Sequence, residues 1–391
     1  MKYNFDKVID RSGTSAEKVE GLKHIWGRTD LIPLWVADMD FATAPFVTDA
    51  IRKRCENEVL GYTGKPDSYY NAIINWVKQR YDLIVTKEVI NFVPGIVPGI
   101  GMAMNCFTQK GDKVMIQPPV YHPFAWVTTR NERTLVINPL KWENGMYRMD
   151  LDAFREQIKG CKLFILCNPH NPGGVVWTEA ELRAIADICY DEKVLVFSDE
   201  IHADLTLPPH THRPFATVSE KARMNSVTFM SPSKAFNMPG LSASHALIFN
   251  EDLRKRFRIY MDAGELDMGH VFAFLSVEAA YSHGTEWLDQ CLAYIQGNID
   301  FVDDFLKNHA PKIKAIRPGA SYLVWLDCRE LKLSQKDLNE FFVDKAHLAL
   351  NDGEMFGKEG IGFMRLNVAS PRCIIEKAMK QLADAYQLYI K

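Results

Sequence analysis

One lysine and one aspartate stand at the ends of two apolar runs. Lys234 lies in MSPSKAFNMPGL, directly after SVTFM, and Asp199 lies at the end of VLVFSD. A lysine whose pKa is lowered forms a Schiff base with an aldehyde. An aspartate beside a pyridine nitrogen keeps that nitrogen protonated, so the ring can withdraw electrons. Alone, each residue is more often a solvated loop lysine or a helix cap, but together they predict pyridoxal phosphate as a cofactor.

The phosphate of such a cofactor needs hydrogen-bond donors. In NFVPGIVPGIGMAMNCF a Gly/Pro-rich turn precedes an apolar helix, so the backbone N–H groups of Gly95, Ile96 and Val97 can bind an anion, although a plain helix start has the same pattern. Ser231 and Ser233 flank the lysine and offer hydroxyl groups. No GxGxxG motif opens the first strand–helix unit, which disfavours a dinucleotide site.

Two further motifs predict contacts to the cofactor ring. Tyr121 in PPVYHPF follows an expected strand and can stack on a flat ring, with core packing as the alternative. In CNPHNPGG, Asn171 can donate to a phenolate oxygen, and Pro172 can be cis. The alternative for this second motif is a surface turn.

These residues must be positioned by the elements around them. Short apolar runs recur with helical stretches such as TEAELRAIADICYDE between several of them, and the runs are KVMIQPP, TLVINP, KLFILCNP, VLVFSDE, SVTFMSP and HALIFN. Continuous apolar runs predict strands that are buried on both faces, and the intervening helices predict parallel crossovers. We therefore expect an α/β fold. Ligands bind beyond the carboxyl ends of such strands, so Asn168, Asp199 and Ser231 should converge on one crevice.

The chain is long enough for two domains. It has 391 residues, of which 47% are hydrophobic, and this exceeds the usual size of one compact unit. The alternation of helices and strands begins near residue 45 and ends near residue 284. The sequence thus predicts a large α/β domain over residues 46–284 and a smaller α+β domain formed by residues 1–45 together with residues 285–391.

Composition excludes several classes of partner. The net charge is −3 with both signs interspersed, so neither nucleic acid nor an anionic membrane surface is an expected partner. No run approaches the roughly 20 apolar residues of a membrane helix, and the amino terminus lacks a signal-peptide pattern, so we expect a cytoplasmic protein. The eight cysteines have no metal-type spacing. His210 and His212, with His202 nearby, lie in a Pro-rich stretch without an acidic ligand, and we interpret them as a surface turn.

Several motifs together resemble a known family. NPHNPGG, SDEIHADL and SPSKAFNMPGL, in this order, resemble the fold-type I pyridoxal-phosphate enzymes of the aspartate aminotransferase superfamily. LIPLWVADMDF, PVYHPF, SYLVWLDCR, AHLALNDGEMFG and GFMRLNVASPR resemble its MalY/PatB branch of cystathionine β-lyases and C–S lyases. The resemblance covers essentially the whole chain. It implies a mostly parallel, seven-stranded sheet between helices and a smaller second domain.

The resemblance also implies roles for individual residues. Lys234 would be the catalytic Schiff-base lysine and Asp199 the partner of the ring nitrogen. The other implied cofactor contacts are His202 and Asn171 at the phenolic oxygen, Tyr121 on the ring, and Tyr62 at the phosphate of the neighbouring subunit. Arg365 would bind the substrate α-carboxylate through a bidentate pair, beside Trp35, Ala37 and Tyr121. The pocket for the leaving thiol is undetermined, with Trp35, Tyr121, His122 and Phe124 as candidates.

The implied activity is α,β-elimination from L-cystathionine, L-cysteine or related S-conjugates, which yields pyruvate, ammonia and a thiol, in a homodimer whose active sites lie at the subunit interface. The chain departs from the wider superfamily at two points. Ser242 stands where aminotransferases commonly place a phosphate-binding arginine, and NPGG replaces NPTG. The first departure argues against a typical aminotransferase. An aminotransferase nevertheless stays the main alternative, and a regulatory binding protein with the same fold is a second one.

Overall fold

The computed structural model describes residues 2–390. Its helices are α1 Glu17–Trp26, α2 Pro45–Cys55, α3 Asp67–Tyr81, α4 Ile96–Phe107, α5 Pro123–Arg130, α6 Leu151–Gln157, α7 Glu179–Asp191, α8 Glu220–Met224, α9 Glu251–Ala263, α10 Val271–His283, α11 Thr285–His309, α12 Gln335–Glu340 and α13 Arg372–Tyr389. Its strands are β1 Ile32–Pro33, β2 Ile90–Val93, β3 Lys113–Ile116, β4 Thr134–Ile137, β5 Lys141–Glu143, β6 Met146–Arg148, β7 Cys161–Cys167, β8 Leu195–Asp199, β9 Ser226–Met230, β10 Ser244–Leu247, β11 Lys314–Ile316, β12 Leu323–Asp327, β13 Leu348–Ala349, β14 Asn351–Asp352 and β15 Phe363–Asn367.

The main sheet has seven strands in the order β2-β10-β9-β8-β7-β3-β4. All neighbouring pairs are parallel except the two that include β10, so the predicted mostly parallel α/β sheet is confirmed. The central strands are buried along almost their whole length, as their continuous apolar sequences require. Cys167, Asp199 and Phe229 are register partners across β7, β8 and β9. The residues that end these strands therefore lie at one edge.

Local sequence signals set several helix starts. Thr178 and Glu181 form a reciprocal capping box at the start of α7. Pro45 begins α2, where its missing N–H costs nothing. At the start of α4, Gly95 has φ = +121°, a conformation that L side chains rarely adopt. This glycine lets the chain turn sharply from β2 into α4, so the first N–H groups of α4 point back toward the strand ends.

The C-terminal part of the chain forms a second, antiparallel sheet in the order β11-β12-β15-β14. In it Arg365 is the register partner of both Trp325 and Asn351. The amino-terminal segment joins this part because β1 pairs in parallel with β13. Asn367 N–H also donates to the Leu34 carbonyl at 2.9 Å. These contacts agree with the expected association of the two ends of the chain, while the predicted domain boundaries stay a prediction.

Helix α12 ends at Glu340, and residues 341–345 continue as a wider π-helical turn. In the main sheet, strand β2 has no counterpart among the expected strands. Its core sequence INFV contains a buried asparagine that interrupts the apolar run. Among residues 2–390, no helix combines the length and apolarity needed to cross a bilayer.

Candidate active site

A cavity of about 200 Å³ lies at the carboxyl ends of β7, β8 and β9. Ten of the site residues expected from the sequence line it, and they are Ala37, Gly95, Ile96, Val97, Tyr121, Asn171, Asp199, His202, Ser233 and Lys234. They come from six separate stretches of chain. The fold thus brings together the lysine, the aspartate and the Gly-rich turn that the sequence singled out.

Lys234 lies in the turn that follows β9, and its Nζ donates to the Ala37 carbonyl at 2.6 Å. Burial lowers the pKa of Lys234 to about 8, while the carboxylates of Asp38 and Asp199 act in the opposite direction and Arg365 lowers the pKa further. A pKa near neutrality leaves part of the lysine population unprotonated at physiological pH. The side chain is thereby suited to act as a nucleophile or a general base.

Asp199 is the last residue of β8 and is only 3% exposed. Its Oδ1 accepts a hydrogen bond from the Ile201 N–H at 3.1 Å. Burial raises its pKa to about 7, partly offset by that N–H group and by Lys234, while Glu200 raises the pKa further. A buried carboxylate with so few donors is stabilised by a cationic or N–H partner in the cavity. The protonated nitrogen of a pyridine ring fits this requirement.

His202 and Asn171 are the residues expected at the phenolic oxygen, and both line the cavity. His202 is buried, and the structure shows no hydrogen-bond partner for its Nδ1. Burial and the positive charges of Lys234 and Arg365 lower its pKa to about 3, so the ring is neutral. Asn171 is 5% exposed, which rules out a surface turn, and its bond to Pro172 is cis as expected. The Asn171 Oδ1 accepts from Arg365, which orients the amide N–H groups for donation to an oxygen ligand.

The phosphate is expected at the end of the cavity that is formed by the α4 amino terminus and the turn before Lys234. Helix starts leave their first N–H groups without intrahelical partners, and those of Gly95, Ile96 and Val97 border the cavity. Ser233 also lines the cavity. Ser231 does not line it, and its Oγ accepts from the Ser233 N–H at 3.1 Å and donates to the Ala243 carbonyl at 2.7 Å. The phosphate contact expected of Ser231 stays a prediction.

Two serines at this end of the cavity were not expected to contribute. Ser242 and Ser244 both belong to the lining. The sequence identified Ser242 only as a departure from the arginine of aminotransferases. A hydroxyl donor at this point is consistent with an anion held by N–H and hydroxyl groups and without a guanidinium. Ser244 begins β10, and the sequence carries no signal that the antiparallel strand would start beside the lysine turn.

Arg365 is 3% exposed on β15 and lies beside the cavity. Its Nη1 donates to Asn171 Oδ1 at 3.1 Å, and its Nη2 donates to the Trp35 carbonyl at 3.1 Å and to Asn351 Oδ1 at 2.5 Å. The buried Nε has no partner in the structure. Burial lowers the pKa of Arg365 to about 10, so it stays charged at neutral pH. Asn351 lies in the motif AHLALNDGEMFG, but the sequence predicted no role for it. It is one of the residues that anchor Arg365.

Besides Ser231 and Arg365, four expected residues lie outside the cavity lining. The Trp35 indole packs on Trp26 and donates to the Lys18 carbonyl, so the residue reaches the site through its own carbonyl rather than its ring. Phe124 is fully buried in the core. His122 lines a neighbouring pocket beside Trp126. Tyr62 is 98% exposed and borders a separate surface groove, so it makes no contact with this chain's own cavity.

The expectation of a surface turn at His212 is wrong. His212 is 4% exposed, and its Nε2 lies 2.8 Å from the Oε2 of the fully buried Glu200. Glu200 also accepts from Ser198 Oγ and from the Phe215 N–H, both at 2.8 Å. This polar network is centred on Glu200, which directly follows Asp199 in the chain, and it holds the turn that follows β8. Over residues 2–390, no cluster of histidine, cysteine and acidic side chains has the arrangement of a metal site.

Comparison with known proteins agrees with this geometry. The family model "aminotransferase class I and II" matches residues 29–382. The chain belongs to this family. It is 38% identical over 384 residues to cystathionine β-lyase PatB of Bacillus subtilis, covering 98% of this chain and 99% of PatB. It is 31% identical over 387 residues to protein MalY of Escherichia coli, covering 98% of each.

A solved structure of cystalysin from Treponema denticola, which contains pyridoxal 5′-phosphate, superposes with a TM-score of 0.96 at 33% identity. The match covers 100% of both chains. The resemblance to fold-type I enzymes and to the MalY/PatB branch is therefore confirmed over the full length. This extent means that family members share both the sheet and the C-terminal part that carries Arg365.

Proposed function

We propose that the protein is a pyridoxal-phosphate-dependent carbon–sulfur β-lyase. It carries out α,β-elimination on L-cystathionine, L-cysteine or related S-conjugates and releases pyruvate, ammonia and a thiol. The observation that carries this proposal is the full-length similarity to a cystathionine β-lyase in a chain whose Lys234 and Asp199 line one cavity with Arg365 beside it. An elimination of this kind needs a base, a carboxylate anchor and an electron sink at one place.

Pyridoxal phosphate fits the residues of the cavity. Asp199 would bind the ring nitrogen, Asn171 and His202 the phenolic oxygen, and the N–H groups at the start of α4 the phosphate. When bound, the cofactor supplies a sink for the electron pair left on the substrate Cα. The unsatisfied His202 Nδ1 and the sparsely bonded Asp199 carboxylate are the features that favour this ligand.

Lys234 acts as the general base in this proposal. Burial lowers its pKa to about 8, so a substantial fraction of the amine is free to take the Cα proton near neutral pH. A positioned base typically contributes about 10²–10⁴-fold to the rate. Arg365 fixes the α-carboxylate, and its burial excludes water that would screen the ion pair. Arg365 thereby holds the substrate so that its Cα–H bond lies within reach of Lys234.

We also propose that the enzyme is a homodimer in which Tyr62 contacts the cofactor phosphate of the neighbouring subunit. Tyr62 is 98% exposed, and it lines a surface groove together with the exposed apolar side chains of Leu60 and Met268. Several exposed apolar groups around one aromatic ring are typical of an interaction surface. The position of Tyr62 outside its own cavity supports a contribution in trans.

The experiment is an assay of purified protein with pyridoxal phosphate and L-cystathionine. We expect pyruvate and a thiol in equal amounts without any 2-oxo acid, and Lys234→Ala should abolish the product. Lys255→Ala, which removes an exposed lysine on α9, is the matched control and should retain wild-type activity. Formation of a new amino acid from an added 2-oxo acid, without release of pyruvate or thiol, would identify an aminotransferase and overturn the lyase proposal. Absence of both products would refute both enzymatic functions.

A further inference from the structure

Residues 35–41, here called the cavity segment, pass along the catalytic cavity through Ala37. The carbonyl of Ala37 accepts from Lys234 Nζ at 2.6 Å and from the Tyr322 hydroxyl at 3.0 Å. The carbonyl of Trp35 accepts from Arg365. The two residues that the proposed reaction uses as base and carboxylate anchor therefore both bind the backbone of this segment.

Other side chains hold the remaining carbonyls of the cavity segment. Asn367 Nδ2 donates to the carbonyls of Val36 and Asp38, both at 2.7 Å. Asn237 Nδ2 donates to the carbonyls of Met39 and Phe41 at 2.9 and 2.7 Å. Asn237 follows Lys234 by three residues in the turn after β9, and Asn367 follows Arg365 by two residues on β15, so each anchor belongs to the same element as one reactive side chain. A shift of the segment is thus transmitted to both Lys234 and Arg365.

Lys18 on α1 binds the acidic side chains of the cavity segment and is fully buried. Its Nζ donates to Asp40 Oδ2 at 2.8 Å and to the Asp38 carbonyl at 3.3 Å, and lies 3.5 Å from Asp38 Oδ1. Arg11 binds the same two acids, with 2.6 Å to Asp38 and 3.1 Å to Asp40. A buried ammonium is costly unless it is paired, and removing one partner of a buried pair leaves the other charge uncompensated. Lys18 and Arg11 together therefore fix the two carboxylates, and with them the stretch of backbone that includes Ala37.

Asp38 pairs with Lys18 and also favours the protonated form of Lys234. The charged and titratable groups that surround the Lys234 amine come from several elements, and they are Asp38, Tyr121, Asp199, His202, Tyr322 and Arg365. Among them Asp38 and Asp199 favour the protonated amine, whereas Arg365 disfavours it. The balance depends on how far Asp38 is neutralised, and Lys18 and Arg11 are its two counter-ions.

We propose that Lys18 is a positioning residue of the lyase. It holds Asp38 and the cavity segment in place and so sets how readily Lys234 keeps its proton. This role rests on the proposed function, since it matters only if Lys234 is the reactive amine. Lys18 does not touch the substrate or the cofactor in this proposal, and it acts through Asp38 and the Ala37 carbonyl.

The test measures the pH midpoint of the visible absorption band of the bound cofactor in holoenzyme variants. Lys18→Met leaves Asp38 less neutralised, so the midpoint should rise by about half a unit or more. Asp38→Asn removes the negative charge, so the midpoint should fall by a similar amount. Arg28→Met is the matched control, because Arg28 also pairs with two acids, Asp30 and Asp344, but contacts no part of residues 35–41. Its midpoint should equal that of wild type.

Opposite shifts in the first two variants support the proposal, because simple loosening of the site moves both midpoints in the same direction. Shifts of the same sign, or midpoints within about 0.2 units of wild type in both folded variants, overturn it. If Lys18→Met does not fold, Lys18→Gln, which removes the charge but keeps a hydrogen-bond donor, takes its place with the same expected rise, and a midpoint equal to that of wild type overturns the proposal. The measurement uses no substrate, so it is separate from the pyruvate assay, whose failure would refute the lyase function instead.

Discussion

Replacement of Arg365 by lysine tests the carboxylate anchor. Arg365 makes three hydrogen bonds within the protein, to Asn171, Asn351 and the Trp35 carbonyl, and guanidinium has five N–H donors in all. A lysine ammonium is a point donor that cannot hold these widely separated partners and also bind a carboxylate at two points. We expect the loss of at least one charge-assisted hydrogen bond to the substrate, about 1.5–3 kcal/mol. This corresponds to a fall in kcat/KM of about 10- to 150-fold.

The assay compares two ligands in Arg365→Lys and in wild type. For an S-substituted L-cysteine, kcat/KM for thiol release should fall by the factor given above. For the matching amine that lacks the carboxylate, the competitive inhibition constant should change by less than about threefold, because that ligand has no group for Arg365 to bind. Arg372→Lys is the matched control. Arg372 lies at the start of α13, donates to Asn298 on α11 and does not line the cavity.

Two outcomes would contradict the reasoning about Arg365. If kcat/KM for the substrate and the affinity for the amine fall by the same factor, the substitution has damaged the site in general, and the carboxylate is not the specific partner of Arg365. If neither quantity falls, Arg365 has only a structural role in holding the Trp35 carbonyl and Asn351. The comparison between ligands therefore isolates the contact with the carboxylate from the packing of the side chain.

Two further predictions concern the phosphate end of the cavity and the core of the large sheet. Gly95→Ala places a side chain at φ = +121°, a strain of about 1–3 kcal/mol that the free protein relieves by turning the first α4 N–H groups away from the cavity. Binding must restore the strained turn, so the dissociation constant of pyridoxal phosphate should rise about 5- to 150-fold in an absorbance titration. Gly111→Ala, at φ = +86° in an open turn, should leave that constant unchanged, and an equal loss in both variants would argue against an anion site at α4. His245 is fully buried with both ring nitrogens unpartnered, and burial lowers its pKa to about 3. The unfolded chain takes up this proton near pH 6.5 but the folded chain does not until about pH 3, so stability is lost as pH falls through this window, by about 2 kcal/mol at pH 5. His245→Leu should remove this part of the pH dependence in denaturant unfolding at pH 7 and pH 5, and an unchanged difference between the two pH values would refute the assignment.

The central sheet was predictable from the sequence because its strands are buried on both faces. KLFILC, VLVFSD and SVTFM are continuous apolar runs, and a parallel strand between two helical layers has no solvent face that would impose alternation. Once the strands are parallel, their carboxyl ends share one edge, and Asp199 and the lysine turn must meet there. The convergence of Asp199 and Lys234 therefore follows from topology and needs no knowledge of side-chain packing.

The contacts made by individual side chains were less predictable, since tertiary partners decide them. Trp35 lies one residue from Val36 and two from Ala37, yet its indole turns to α1 because the Lys18 carbonyl accepts its N–H. His212 lies in a Pro-rich stretch that has the composition of a surface loop. It is buried because Glu200, twelve residues earlier, provides a carboxylate partner inside the protein. No local pattern in either stretch records these partners.

The four reactive groups of the site share one property, which is that the fold alone leaves their charges poorly compensated. Burial raises the pKa of Asp199 to about 7 and lowers those of Lys234 and Arg365 to about 8 and about 10, while His202 is held neutral. Each shift disfavours the charged form, and each is reversed by a ligand that brings the complementary group. In the proposed function, a ligand with a ring N–H would meet Asp199, and a substrate carboxylate would meet Arg365. The cavity thus selects its ligands by the charges that it has desolvated, and binding of those ligands must stabilise the folded state by the same interactions.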